Sequence, residues 1–344
     1  MGSRTEITDK PQSIHPLSRA TTYIESYFFD PLSGEQRLRT YATGFFVRAS
    51  TAILLVTNWH VMSGLDPSQP SMLGKTPPPH FLKIFVPTVS GGLSSLSLPL
   101  YDAEMAPRWE EHPDREAVDM AIFPLPLSLE QHFHFFDVPT AAGAHEIEEA
   151  VAKDVFVLGY PFSQDELRKS FGDGAPFFLP VWKRGSIATE PATRFNDRVI
   201  LIDALSRPGM SGAPVLVAQD EPVLQSTSAR NAEVFDAINR GGGNALEVLS
   251  RLDTASLRSS TVKRFSLLGV YSGVIGNTRL EQIALGKCWH VDTLRELTAN
   301  SCPGAMPFHA PVANRFYDAL LSEVSGGRLV VKNLEGEVVR NDPI

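Results

Sequence analysis

The segment Arg207-Pro208-Gly209-Met210-Ser211-Gly212-Ala213-Pro214 decides how this chain reads. A serine flanked by two glycines stands directly before an apolar run, Pro214-Val215-Leu216-Val217. Glycine and serine are turn residues, so such a turn on its own is common. Two more segments change its meaning. Thr57-Asn58-Trp59-His60-Val61 sits at the end of the apolar run Ala52–Thr57, and Val118-Asp119-Met120-Ala121-Ile122 sets an acid in a strand expected over Ala117–Phe123. The order His60, Asp119, Ser211 is one of the chain orders in which a catalytic triad occurs. A serine hydroxyl is a weak nucleophile until a base takes its proton, and His60 is the candidate base. Asp119 would hold the histidine tautomer and stabilise the imidazolium. Asp114 lies close by but follows a proline in a polar loop, and Ser206 lacks the surroundings of a nucleophile turn.

Outward from these segments the chain reads as short strands. Thr22–Phe29, Gly44–Arg48, Phe81–Val86, Asp154–Gly159, Pro180–Ile187, Arg198–Ile202 and Phe265–Tyr271 are rich in aromatic and β-branched residues. Residues 62–80 and their proline run form a loop, and residues 124–150 link two halves. Residues 219–262 are polar, contain Gly241-Gly242-Gly243, and form an insertion with helix-like pieces around 230–239 and 244–252. Near the end, Phe316, Leu320, Leu321 and Val324 have helical spacing, and Arg328–Val331 with Glu337–Val339 suit a closing hairpin. No solenoid-type repeat is present.

The chain has 344 residues, 43% hydrophobic and 20% charged, with a formal charge of −8. That is globular composition, and the length suits about two domains. The negative balance repels a phosphate backbone, so nucleic acid is not expected as the main partner, although a local basic patch is compatible with it. Two cysteines, Cys288 and Cys302, allow one bridge at most and read as reduced thiols. The N-terminus has no signal-peptide pattern and no window is apolar enough to span a membrane, so the expected location is the cytoplasm. His132 and His134 fall on one face of an expected strand but lack a third ligand, so no metal and no cofactor is expected.

With these motifs in hand, the chain resembles the trypsin-like (chymotrypsin-fold) serine peptidases, in particular the bacterial branch near the HtrA/Deg proteases, over roughly residues 20–295. Thr43-Gly44-Phe45-Phe46-Val47 is similar to the family's strand before the histidine, and Val157-Leu158-Gly159-Tyr160-Pro161-Phe162 to its Gly-x-Pro turn. Gly185-Ser186-Ile187 and Gly286–Val291 match weaker positions. The resemblance implies an all-β fold of two six-stranded antiparallel barrels with the active site between them. The expected organisation is an arm over 1–18, barrels over 19–140 and 141–295, and a helix and hairpin extension, of short α/β type, over 296–344. It implies a serine endopeptidase with His60, Asp119 and Ser211 as its triad, acting on a protein or peptide. The oxyanion hole falls on Gly209, Met210 and Ser211, with Ser272 hydrogen-bonding the aspartate from behind.

Met210 stands where zymogen-type members carry an aspartate, so activation by N-terminal cleavage is not expected. Control would come from loops, a regulatory partner, a homo-oligomer or substrate access. The residues after 295 are too few for the PDZ domain usual in the Deg branch. The resemblance maps the substrate pocket to Leu205, Ser272, Gly273 and Val274, which suits a small or medium apolar side chain before the scissile bond. Two other classes share these motifs: a trypsin-fold binding or scaffold protein without activity, and a serine esterase.

Overall fold

The computed structural model of the chain describes residues 14–30, 33–70, 76–87, 93–102, 104–138, 149–166, 179–204, 207–226, 228, 231–234, 236, 250–274, 285–306, 321–325, 328–332 and 338–343. The apolar runs become strands wherever their alternate residues find a sheet to pack on. In chain order the elements are α1 (Pro16–Arg19), β1 (Thr21–Phe29), β2 (Gln36–Arg48), β3 (Ile53–Thr57), α2 (Trp59–Ser63), β4 (Phe81–Pro87), β5 (Leu93–Pro99), β6 (Glu110–Glu111) and β7 (Ala121–Leu125). The second half supplies β8 (Asp154–Gly159), β9 (Val181–Ile187), β10 (Val199–Asp203), β11 (Pro214–Ser226), β12 (Leu257–Val274) and β13 (Leu285–His290). Then follow α3 (Val291–Asn300), β14 (Cys302–Pro303), β15 (Leu321–Ser325), β16 (Arg328–Lys332) and β17 (Val338–Pro343).

The first half is one sheet in the order β14-β6-β7-β3-β2-β1-β4-β5. Its longer strands, β7-β3-β2-β1-β4-β5, are the six expected of this half, and the two-residue β6 and β14 extend the sheet beyond β7. Ile24, Phe46, Leu55, Leu82, Ile84 and Trp109 pack together beneath it, each essentially sealed from solvent. Burying a large aliphatic side chain stabilises by about 1.5–3 kcal/mol, so this layer fixes which strand face turns inward. The second half closes into a barrel, β10-β13-β12-β11-β8-β9, around Val155, Val157, Ile200, Ile202, Val215 and Leu268. Closure removes the open edges that a sheet of this size would otherwise expose. The all-β reading therefore holds, with the second half closed as a barrel and the first a sheet over its own core, an arrangement consistent with a two-barrel fold.

Several boundaries differ from expectation for visible reasons. The strand read over Ala117–Phe123 begins only at Ala121, paired with Thr57, so Asp119 precedes β7 rather than lying inside it. Asn58 Nδ2 donates to the Asp119 carbonyl at 2.8 Å, which removes that group from the ladder. β2 starts at Gln36, because its polar first half pairs with β1 all the way to Phe29. His132 closes a 3-10 turn over Leu127–His132 and His134 lies beyond it, so the two share no strand face. Within the segment read as an arm, Pro16–Arg19 form a helical turn, and Ser18 accepts a hydrogen bond from Trp182 Nε1 at 2.8 Å.

Residues 218–265 form a separate compact unit. β11 and β12 run on into it, and residues 231–234 are helical. Asn231 is fully buried there, donating to Ser226 Oγ and the Asp253 carbonyl at 2.9 Å each and accepting from Asp253 N–H at 2.7 Å. Most of the second helix-like piece lies outside the described residues. At the C-terminus, Leu321–Ser325 is a strand of a three-stranded sheet, β15-β16-β17, where the helical spacing had predicted a helix. Once the segment pairs antiparallel with β16, strand alternation overrides that spacing. Residues 314–320 of the expected helix lie outside the described residues.

Candidate active site

His60 is set by a short structure. β3 ends at Thr57, Asn58 caps α2, and Gly64 stops it in the left-handed region at φ 71°, its N–H donating to the His60 carbonyl at 3.0 Å. The neighbouring Trp59 turns inward. Its indole N–H and that of Trp109 both donate to Glu111 Oε1, at 2.9 and 2.7 Å, and the Ala305 N–H reaches the same oxygen at 3.1 Å. Glu111 is 1% exposed. A buried carboxylate with three donors is a firm anchor, and here it fixes the turn that presents His60.

Asp119 meets His60 twice. Its Oδ2 lies 2.8 Å from His60 Nδ1, and its Oδ1 accepts the His60 backbone N–H at 3.0 Å. Ser272 Oγ donates to Oδ2 at 2.5 Å. The Asp119 side chain is 3% exposed and that of His60 27%, so the carboxylate is sealed while the imidazole keeps an open side. Donation from Nδ1–H to the carboxylate selects the tautomer whose Nε2 carries a lone pair. Burial disfavours the imidazolium, but the charge of Asp119 and its hydrogen bond outweigh burial, and the His60 pKa stands above its ordinary value.

Ser211 stands in a turn that glycine permits. Gly209 has φ +89° and Gly212 φ +81°. A Cβ on Gly209 would lie 2.2 Å from the Tyr160 carbonyl, and one on Gly212 the same distance from Thr43 O and Thr57 Oγ1. The turn is tied to the first sheet by Thr43. Its hydroxyl donates to the Gly209 carbonyl at 2.7 Å and accepts the Tyr160 N–H at 3.0 Å, while its N–H donates to the Ser211 carbonyl at 2.9 Å. Thr57 Oγ1 donates to the Thr43 carbonyl at 2.8 Å. On the other side, Gly212 N–H donates to Tyr271 O, and Tyr271 N–H to Ala213 O. The Met210 N–H is taken by the Arg207 carbonyl at 3.3 Å, and its side chain is buried in the second core. Among the described residues, no acceptor takes the N–H of Gly209 or Ser211. Among the described residues those two donors are left to meet a negative oxygen beside the serine.

His60, Asp119, Ser211, Ser272, Gly273 and Val274 line one cavity of about 860 Å³. Val274 is 38% exposed on its wall. Leu205 and Ser206 lie outside the described residues. Cys288 is buried and Cys302 partly so, both as free thiols. No group of three or more histidines, cysteines or carboxylates that could hold a metal ion occurs among the described residues. No helix among them is long and apolar enough to cross a membrane.

Sequence reasoning missed three residues around the site. Thr43 was visible only as a strand residue, and nothing local marks a hydroxyl whose partners lie more than a hundred positions away. Glu111 sits in a charged stretch that reads as surface. Lys287 lines the same cavity, two residues before Trp289 on β13.

Comparison with protein-family models matches residues 42–223 to the trypsin-like peptidase domain. The matched segment contains His60, Asp119 and Ser211. Comparison with curated proteins finds no match.

Proposed function

This chain belongs to the trypsin-like peptidase family, and from that premise we propose that it is a serine endopeptidase working through His60, Asp119 and Ser211. The observation that carries the reading is the chain of contacts from Ser272 through Asp119 to His60, which ends on the cavity that Ser211 also lines. His60 Nε2 takes the proton from Ser211 Oγ as the oxygen attacks the scissile carbonyl carbon. The carbonyl oxygen becomes an oxyanion and is met by the N–H groups of Gly209 and Ser211. The imidazolium, stabilised by the carboxylate of Asp119, then gives its proton to the leaving amine as the C–N bond breaks. An acyl-enzyme remains on Ser211. Water, deprotonated by the same imidazole, attacks it and frees the acid and the serine. Asp119 stays ionised throughout.

Peptide-bond cleavage is preferred to simple ester hydrolysis because Ser272, Gly273 and Val274 line the cavity, and an extended peptide laid along them would be held by its backbone. The test pairs a fluorophosphonate probe with a peptide library. The wild-type chain labels and cleaves, while Ser211→Ala does neither. Labelling that survives Ser211→Ala removes Ser211 from the mechanism. Labelling together with hydrolysis of esters but of no peptide overturns the endopeptidase reading.

A further inference from the structure

Lys287 carries an inference about which substrates the cavity takes. Its side chain leaves β13 into the cavity that holds His60 and Ser211, and its Nζ stands 3.9 Å above the Trp289 ring. Trp289 is 1% exposed, so the ring is a fixed platform beneath the ammonium. Lys287 has no carboxylate partner in hydrogen-bond or ion-pair reach among the described residues. The other cations on the cavity are already occupied. Arg39 donates to the Gly64 and Pro77 carbonyls at 2.6 and 2.9 Å, and Arg115 faces Glu111 at 3.8 Å. The anions do not serve Lys287 either. Both Asp119 oxygens bind His60, and Oδ2 also binds Ser272; Asp66 binds Ser68, and Glu116 lies exposed on the rim. Burial lowers the proton affinity of Lys287, with the charge of Asp119 partly opposing. An ammonium that is partly desolvated, held over a ring and without a carboxylate in ion-pair reach among the described residues is suited to take an anion from outside.

We propose that Lys287 forms a subsite for a carboxylate side chain, so that this peptidase favours substrates with glutamate or aspartate at one position near the scissile bond. The inference rests on the serine peptidase reading and adds to it a preference that the apolar wall at Val274 does not provide. The ammonium would donate to the incoming carboxylate from one side while the indole face excludes water from the other. Glutamine, with the same shape and no charge, would lose that contact.

The test measures kcat/KM for blocked peptides that differ only by Glu or Gln, with the pair moved in turn through the positions on either side of the scissile bond. Blocking both termini makes the side chain the only variable carboxylate. The expected result is one position where Glu exceeds Gln by about 10- to 100-fold, the range of a charge-assisted hydrogen bond in a partly buried site. Lys287→Met brings that ratio to about one, and Lys287→Glu turns the preference toward Lys at the same position. Lys287→Arg retains the acidic preference and guards against a folding artefact. Cleavage with a ratio near one at every position in the wild-type chain overturns the subsite and leaves the peptidase reading intact. An acidic preference that persists in Lys287→Met removes Lys287 as its source. Absence of both cleavage and fluorophosphonate labelling overturns the peptidase reading and the subsite with it.

Discussion

Thr43→Val tests whether the serine turn is preorganised by the first sheet. Valine keeps the shape of threonine and removes only its hydroxyl. That hydroxyl is fully buried and holds two groups, the Gly209 carbonyl at 2.7 Å and the Tyr160 N–H at 3.0 Å. Each partner left unsatisfied in a buried site costs about 1–3 kcal/mol, so the variant loses about 2–6 kcal/mol of stability. Against a total of about 5–15 kcal/mol, that lowers the melting temperature measurably. The catalytic effect follows from where the bond acts. Holding the Gly209 carbonyl orients the peptide unit between Gly209 and Met210, at the centre of the proposed oxyanion site. Outright loss of one oxyanion donor costs about 100- to 1,000-fold in kcat, and a loosened donor should cost about tenfold or more with little change in KM. The assay is steady-state cleavage of a fluorogenic peptide, normalised to active sites by fluorophosphonate titration, beside a thermal melt. Thr43→Ser keeps the hydroxyl and should keep most of kcat. If Thr43→Val retains kcat within twofold and melts with the wild type, the turn does not depend on this contact.

Other expectations follow from the same geometry. Asp119→Asn should fold and lose about 10⁴-fold in kcat, because the amide no longer selects the productive histidine tautomer; near-normal turnover would remove Asp119 from the triad. Because the His60 pKa is raised and the base must be neutral, activity should fall as pH drops through a midpoint above about 6.5, and a kcat/KM profile flat down to pH 5 would exclude a histidine base. Gly212→Ala forces a Cβ to within 2.2 Å of two oxygens at φ +81°, so it should be insoluble or melt far below the wild type, and a well-folded variant would show that the turn relocates easily. Glu111→Ala leaves two indole N–H groups and the Ala305 N–H without their acceptor, at a cost of about 3 kcal/mol or more; an unchanged melting temperature would deny it the anchoring role.

What the sequence made legible was local chemistry. The Ser211 turn could be read because glycines at 209 and 212 announce a backbone that other residues cannot adopt, and both have positive φ. His60 could be read because a polar group ends an apolar strand, and five strands of each half because they are short runs rich in β-branched and aromatic residues, whereas β5 and β13 were not read as strands. Asp119 lies against His60, but it precedes β7 and does not lie in the strand expected there. The apolar residues around it are buried, but a buried stretch that gives its carbonyl to a side chain does not join a ladder. The polar first half of β2 and the extensions of β11 and β12 escaped notice because their pairing depends on a partner strand and not on their own composition. Thr43, Glu111 and Lys287 were invisible for a related reason. Each matters through what distant segments bring to it, and no spacing rule reports a contact between residues 43 and 209.

The contacts that hold the two halves together and the contacts that arrange the proposed chemistry are largely one set. Thr43 on β2 binds both sides of the Ser211 turn, and Ser272 on β12 crosses to Asp119 in the other half. Arg198 of the second barrel reaches Asp114, five residues before Asp119, at 2.5 Å. The reacting groups therefore cannot shift without breaking bonds that also join the sheets, and the site is formed once the halves have docked. The cavity wall is different. Val274 is 38% exposed, and the Lys287 ammonium lies over an indole face, and neither side chain makes the described hydrogen bonds that fix His60 and Ser211. A fold built this way keeps its chemistry constant and leaves its substrate preference to a few side chains on the rim, which is why Lys287 and not the triad is where this chain's own specificity should be sought.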